Sequence, residues 1–476
     1  MADKQSTKPP SGTRDFLPDD VRRREYVINV VRGVYERYGF EPLETPAFEN
    51  IETLLGKYGD EGNKLIFKIL KRGEHEASGE ADLALRYDLT VPLARVVAQY
   101  QNELPRFFKR YQIQPVWRAD RPARGRFREF YQCDIDATGS TSPIVEVEVL
   151  VAVCEILTTL GFDDFEIRLN HRQVLTAWLT ELLLPAEQHA TALVEIDKLD
   201  KVGIDGVWKG LADRGIDEGV RNRIRSSLGA VDRPDWLAWH ETKSLLLDAQ
   251  GRAAYQNVRD IITLAAGTPA ADRLRFVPSL ARGLSYYTGA IMEIVVAGIG
   301  SLGGGGRYDN LVGMFLGRDV PACGFSLGLE RIIVVMTEQN MFPASVAHGS
   351  LDVVVTCLVD PSETEVLSRA RAAALTLAGE LRTAGRRVAV FPDASRKFDK
   401  PLKYAAARGA RVMAIFGENE VTRGEASIRN LDTREQQSVP RGLAAAHIGR
   451  LLNRDLGTSN VEHGAPNVER RTSNEP

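Results

Sequence analysis

The chain has little cysteine: four residues in 476, at Cys133, Cys154, Cys323 and Cys357, far apart and none in a CxxC pair. That spacing argues against a disulfide framework and against a zinc site, and it fits a reducing compartment. No run of roughly 18 or more apolar residues occurs, and the opening MADKQSTKPPSGTRDF lacks the apolar stretch of a secretory leader. The expectation is therefore a cytoplasmic protein, neither exported nor membrane-spanning. The seven histidines show neither HxxxH nor HExxH spacing, so each is read as an ordinary surface or core residue. A strong charge of one sign is also missing. With 61 Lys and Arg against 64 Asp and Glu the net charge is −3, so any nucleic-acid partner must be held by local basic surfaces. No internal repeat of solenoid period is present.

What is present is an ordinary globular composition, 43% hydrophobic and 26% charged, in a chain long enough for several cores. Residues 1–10 are polar and expected to be disordered, as is the tail 455–476, which carries almost no large apolar side chains. After Pro18 and Asp19, the latter read as an N-cap, Val27, Val31, Val34 and Tyr38 recur at helical spacing until Gly39. A strand-like segment containing Pro46 follows; because proline cannot donate to a ladder, it belongs at an edge or a subunit boundary. Ser142-Pro143 opens a second helix closed by Gly161, and Phe165, Ile167 and Leu169 then alternate as a half-buried strand. These elements place a first part of one domain at 11–170. Residues 171–272 read as an all-helical insertion, after which strand signals resume over 273–337 as the second part of that domain. Beyond a linker at 338–349, strand and helix alternate over 350–454, which predicts a separate domain with a parallel sheet and covering helices.

Five segments carry chemistry. From Arg106 to Arg128 there are eight Lys or Arg and one acid, Asp120, in an arginine-rich loop flanked by strand-like runs. Arginine suits phosphate there because its planar fork makes paired charge-assisted hydrogen bonds, although a solvated basic hairpin remains the plain alternative. LRYDLTVPLAR (85–95) sets Asp88 and Thr90 near a strand end, where they suit either an ammonium group or a cap. RGLSYYTGAIMEI (282–294) puts one arginine and two tyrosines ahead of an apolar strand. GGGGRYDNLVGMF (303–315) reads as a glycine-rich turn that lets backbone approach a ligand, without the GK[ST] of a P-loop. GFSLGLERI (324–332) places glycines on a strand and Glu330-Arg331 at a helix start.

Together these segments resemble the signatures of class II aminoacyl-tRNA synthetases, and specifically the histidyl-tRNA synthetase family, over nearly the whole chain. SGTRDFLPDD (11–20) resembles the family's N-terminal signature, YGFEPLETPAFEN (38–50) its motif 1, VWRADRPARGRFREFYQCDID (116–136) its motif 2 and GFSLGLERI its motif 3. RGLSYYTG and GGGGRYDNLV resemble its two histidine-specific boxes. The resemblance implies an α/β multidomain fold: an antiparallel sheet of six or seven strands with flanking helices, a helical insertion and a C-terminal α/β anticodon-binding domain. It implies ATP and Mg²⁺, L-histidine and tRNA(His) as partners, and a homodimer.

By the same resemblance Arg118 would hold the α-phosphate, Arg126 and Arg331 the distal phosphates, and Phe130 would stack on adenine. Arg282, counted with both the catalytic and the histidine-binding groups, would neutralise charge near the α-phosphate, assisting or partly replacing Mg²⁺. Asp88, Thr90 and Gln132 would take the α-amino group, and Asp136 with Tyr287, Tyr286 nearby, would read the imidazole. This agrees with the chemistry, since a carboxylate attacking a phosphate brings two anions together and needs cations around them. The chain departs from the common bacterial pattern at Tyr87-Asp88, where Pro-Glu is frequent, and at Asp120, where Glu is frequent; both resemble the eukaryotic-type branch and keep the charge. Arg121 and Ala123 occupy the loop region that meets the tRNA acceptor end, and Ala123 offers no side-chain hydrogen bond to a base. The resemblance thus implies histidine–tRNA ligation. The rival reading is a catalytically inactive paralogue, such as a regulatory subunit of ATP phosphoribosyltransferase. The presence of Arg118, Arg282 and Arg331, and of nine Lys or Arg between Arg382 and Arg411, speaks against it. A nucleic-acid-binding module alone would not require Asp88, Asp136 and paired tyrosines.

Overall fold

A computed structural model of the chain describes residues 6–58, 62–73, 78–228, 248–281, 286–343, 346, 351–394 and 397–454. The chain divides into two compact units, Met1–Phe342 and Pro343–Pro476. Arg282, residues 1–5 of the N-terminus, residues 344, 345 and 347–349 of the 338–349 linker and the tail 455–476 lie outside the described residues.

The first unit opens with helix α1 (Pro18–Arg37). Its cap is Leu17, not Asp19; Pro18 takes the first helical position and Asp19 and Asp20 fall in the first turn, where their charge meets the positive end of the helix dipole. Strands β1 (Glu41–Pro42) and β2 (Phe48–Asn50), helix α2 (Ile51–Leu54), strands β3 (Lys68–Leu70) and β4 (Ala81–Leu85), and helix α3 (Thr90–Gln99) follow. Then come the long hairpin strands β5 (Phe108–Trp117) and β6 (Glu129–Thr138), helix α4 (Ile144–Thr159) and strand β7 (Phe165–His171). Helices α5 (Arg172–Glu181), α6 (His189–Ile196), α7 (Leu199–Asp213), α8 (Glu218–Leu228) and α9 (Ala249–Ala265) fill the segment read as an insertion. Strands β8 (Leu274–Phe276), β9 (Ala290–Val296) and β10 (Gly300–Arg307), helix α10 (Asp309–Leu316), strand β11 (Ala322–Gly328) and helix α11 (Leu329–Glu338) complete the unit.

The main sheet runs β1-β5-β6-β11-β10-β9-β7-β8. Its six inner strands are antiparallel, and the two short outer strands pair parallel with β5 and β7, which brings the count to eight. One face is apolar because alternate residues such as Cys133, Ile135, Phe325, Leu327, Met292 and Ile294 point to a core covered by α1, α4, α9 and α11. Of the insertion helices, α9 and one side of α5 (Val174, Ala177) belong to this same core; α6, α7 and α8 pack in a second cluster with Leu175 and Leu179.

The glycine-rich segment is a sheet strand, β10, and not the turn its composition suggested. Its neighbours require the missing side chains: a Cβ on Gly305 would sit 2.1 Å from the Gly324 carbonyl oxygen, and one on Gly303 would sit 2.4 Å from that of Ser326. Arg307 ends the strand and anchors it, donating at 2.6 and 2.9 Å to the buried Glu146 carboxylate of α4.

The second unit comprises β12 (Val353–Leu358), α12 (Thr364–Thr383), β13 (Val388–Val390), α13 (Asp399–Ala407), β14 (Val412–Gly417), α14 (Glu418–Arg423), β15 (Glu425–Asn430), β16 (Gln436–Pro440) and α15 (Ala444–Arg454). The expected parallel sheet holds for β13-β12-β14 only, and β15 and β16 extend it as an antiparallel hairpin. Those two strands are short and polar at their outer positions, so they lack the apolar run that marks the buried parallel strands.

Candidate active site

The second face of the main sheet is buried yet polar. Strand alternation puts Arg110, Gln112 and Gln114 of β5 on it, and the register sets them directly opposite Asp136, Asp134 and Gln132 of β6. On the other side of β6 these three oppose Gly324, Ser326 and Gly328 of β11. The floor beyond is nearly bare: Gly324 pairs with Gly306 of β10, and Gly304 pairs with Ser326. A Cβ on Gly324 would overlap the Asp136 carboxylate, and one on Gly306 would meet the Tyr287 ring at 2.9 Å. Asp136 and Tyr287 therefore stand over adjacent glycines of one floor, each packed into the space that a side chain there would take.

Asp136 is 3% exposed, and its Oδ2 meets the Arg110 guanidinium at 2.8 Å. Its Oδ1 accepts from the Tyr308 hydroxyl. Burial pushes this carboxyl up, and Arg110 and Tyr308 pull it down. Tyr286 stacks edge-on between Tyr287 and Tyr308, with ring centroids 5.0 and 6.0 Å away.

Asp88 lies between β4 and α3 and is 2% exposed. Its Oδ1 accepts from Val91 N and from the Tyr58 hydroxyl, both at 3.0 Å, so this carboxylate does help start the helix. Its other oxygen, Oδ2, is buried and has no hydrogen-bond partner among the described residues. Burial raises the Asp88 carboxyl, opposed by the Val91 N–H and by Arg118. Thr90 hydrogen-bonds Tyr286, which joins the two groups of residues expected at opposite sides of the substrate. Gln132 completes this corner: its Nε2 donates to Ser326 Oγ at 2.7 Å, and its buried Oε1 is unpartnered among the described residues.

The arginine-rich segment forms the end of the β5–β6 hairpin. Arg118 donates through Nε to the Tyr87 carbonyl at 3.0 Å, with its guanidinium 4.3 Å from the Tyr87 ring centroid and 5.1 Å from that of Phe130. The guanidinium is thus within cation–π range of two aromatic rings. Ala123 and Arg126 close the tip through paired backbone hydrogen bonds, and Arg126 Nη2 donates to Asp120 at 2.8 Å. Arg331, in the first turn of α11, is exposed, donates to the Ser301 carbonyl at 2.5 Å and lies against Gly125 of the tip. Its neighbour Glu330 points the opposite way, 2% exposed, accepting from Arg24 of α1 at 2.8 Å and from Tyr131 N at 2.9 Å.

The fold thus brings together Asp88, Thr90, Gln132, Asp136, Tyr286 and Tyr287 on one face, and Arg118, Phe130, Arg126 and Arg331 around the hairpin that leaves it. Arg126 is tied within its own loop. Arg282 belongs to the undescribed stretch immediately before Tyr286. Sequence reasoning did not single out Arg110, Asp134, Tyr58 or Tyr308. For Asp134 a signal existed, the period-two spacing with Gln132 and Asp136; Tyr58 has none.

A family model described as histidyl-tRNA synthetase matches residues 12–332, and one described as an anticodon binding domain matches 352–450. A histidine–tRNA ligase of Gloeobacter violaceus is 41% identical over 470 residues, spanning 92% of this chain and 98% of that protein. One from Bacteroides fragilis is 39% identical over 450 residues, spanning 90% and 96%. Among solved structures, a histidyl-tRNA synthetase from Nostoc sp. aligns with a TM-score of 0.74 at 31% identity, covering 94% of this chain and all of that one. A Bacillus halodurans protein titled as an ATP phosphoribosyltransferase regulatory subunit/histidyl-tRNA synthetase aligns with a TM-score of 0.66 at 19% identity, a likeness of fold alone.

Proposed function

Because the chain belongs to the histidyl-tRNA synthetase family and is an aminoacyl-tRNA ligase for histidine, we propose that the buried polar face of its main sheet carries both half-reactions. The observation that carries the placement is the unpartnered Oδ2 of Asp88, a buried carboxylate oxygen without a donor among the described residues, which calls for a cationic ligand. Histidine enters with its α-ammonium on Asp88, Thr90 and Gln132. Its imidazole lies toward Asp136, Tyr286 and Tyr287, where a carboxylate and a phenol can satisfy both ring nitrogens.

The substrate carboxylate then attacks the α-phosphorus of ATP; the new bond is the mixed anhydride of histidyl-adenylate, and pyrophosphate leaves with the electron pair of the broken bond. Arg118, with Arg282, balances charge at the α-phosphate, and Arg126 and Arg331 meet the departing phosphates, which requires Arg126 to leave Asp120. Phe130 supports adenine. In the second step a terminal ribose hydroxyl of tRNA(His) attacks the activated carbonyl and AMP departs. Among the described residues no group of three or more His, Cys, Asp or Glu could hold a metal ion, so we assign Mg²⁺ to the phosphates of ATP and route no protein step through it.

We place the protein in the cytoplasm; no described helix is long and apolar enough to cross a membrane. We also propose a two-fold dimer joined through α1 and the segment around Pro46, where the short sheet β2-β4-β3 leaves Phe48 and Leu70 more than half exposed. The relatives at 39–41% identity support a regulatory, non-catalytic role less well than ligation. Pyrophosphate exchange with each of the twenty amino acids is the test. Exchange is expected with histidine and at least roughly a thousandfold less with any other, because a site of buried polar groups rejects ligands that leave them unpaired. No exchange, or a preference for another amino acid, overturns the reading.

A further inference from the structure

Asp134 lies on β6 between Gln132 and Asp136, on the same polar face, and none of the chemistry above uses it. It is 1% exposed, and its Oδ1 has no hydrogen-bond partner among the described residues. Across the strand gap is Ser326, whose Oγ accepts from Gln132 Nε2 at 2.7 Å and which also hydrogen-bonds the Asp134 carboxylate. The direction of this chain is fixed by chemistry. Beside a bound ammonium group Asp134 is ionised and can only accept, so the single hydroxyl proton of Ser326 goes to Asp134, and Ser326 is left to accept from Gln132. Gln132 must then turn its NH₂ toward Ser326 and its Oε1 toward the site, where that oxygen is indeed buried without a donor.

Three buried acceptors of this corner lack donors among the described residues: Asp88 Oδ2, Gln132 Oε1 and Asp134 Oδ1. A primary ammonium group brings three N–H donors and one positive charge. We propose that Asp134 is a positioning residue and second counter-charge for the α-ammonium of the amino-acid substrate, acting through Ser326 to hold the Gln132 amide in its accepting orientation. This rests on the reading of the face as the histidine site and adds to it a residue that faces the amine rather than the imidazole. The charge surroundings agree. Burial, Asp136 and Asp88 raise the Asp134 carboxyl to about 7 against the pull of Arg110, so a cation entering this corner favours its ionised form.

The test compares two ligands on the full-length protein by calorimetry: L-histidine and 3-(imidazol-4-yl)propionate, which lacks only the amine. Asp134→Asn is expected to weaken histidine by about 10- to 100-fold, the usual range for losing one charged partner, and to change the des-amino compound by less than about threefold. The KM for ATP stays at the wild-type value. Ser326→Ala is expected to act in the same direction, more weakly, and to add little in the double variant, because both changes break one relay. Equal weakening of both ligands, or unchanged histidine binding in both single variants, overturns the role of Asp134. A wild-type protein that binds neither ligand overturns the underlying site.

Discussion

Asp136 spends its two oxygens on opposite kinds of partner, a cation on one side and a phenol on the other. Removing the phenol leaves a buried acceptor unpaired, which costs about 1–3 kcal/mol and frees the carboxylate to swing from the imidazole. Tyr308→Phe is accordingly expected to lower kcat/KM for histidine in pyrophosphate exchange by roughly a hundredfold, with the KM for ATP within about twofold of wild type. An unchanged kcat/KM would show that Tyr308 only packs. The sequence pointed to Asp136 and Tyr287 but not to Tyr308 or Arg110, because residue types and spacing show which side chains share a strand face and not which strands lie side by side. Once β10 is set against β11, Tyr308 follows directly from the end of the glycine run, and Arg110 follows from its register opposite Asp136. Asp88 was legible as an ammonium ligand or as a cap; one oxygen caps α3, and the other, buried without a hydrogen-bond partner among the described residues, is the one we assign to the ammonium group.

At the level of elements, periodicity located α1, α4, β7, β9, β12, α12 and β14 well, since each presents a regular apolar face to a core. It failed where packing overrides local preference. Four consecutive glycines favour a turn in isolation, yet β10 is held extended by two neighbours and by Arg307 on Glu146. A cap at the sheet's far edge gives a pH test. His171 ends β7 and starts α5, its Nδ1 accepting from Gln173 N at 3.1 Å, and burial, with Arg307 nearby, lowers its pKa from 6.5 to about 4. The folded state therefore favours the neutral ring. That stability is complete above about pH 6.5 and is lost as pH falls toward 4, on the order of 2 kcal/mol by pH 5. His171→Asn keeps a capping acceptor without a titrating group, so its melting temperature should fall less than that of wild type between pH 7 and pH 5. Parallel slopes in the two proteins would remove His171 as the cause.

For the whole molecule, the two units have separate apolar cores, one pair of clusters within residues 27–342 and another within 351–452. All the residues assigned to adenylate formation lie in the first. A chain ending at Phe342 is expected to form the proposed dimer by light scattering and to exchange pyrophosphate with histidine at a near-normal rate, while charging tRNA poorly. Loss of exchange together with charging would make the second unit a structural support instead. The division was visible in the sequence as a change from mixed elements to strict alternation, because each unit repeats its own pattern of burial. The sheet's polar face bears on the molecule in another way. Asp88, Asp134 and Asp136 are all buried, and the charges of Asp88 and Asp136 both raise the Asp134 carboxyl, so a cation bound among them relieves mutual repulsion. Ligand that binds only the native state adds RT ln(1 + [L]/Kd) to its stability. With histidine bound on this face as proposed, the protein is expected to resist pulse proteolysis longer in saturating histidine than without it, and equal cleavage rates would break that link.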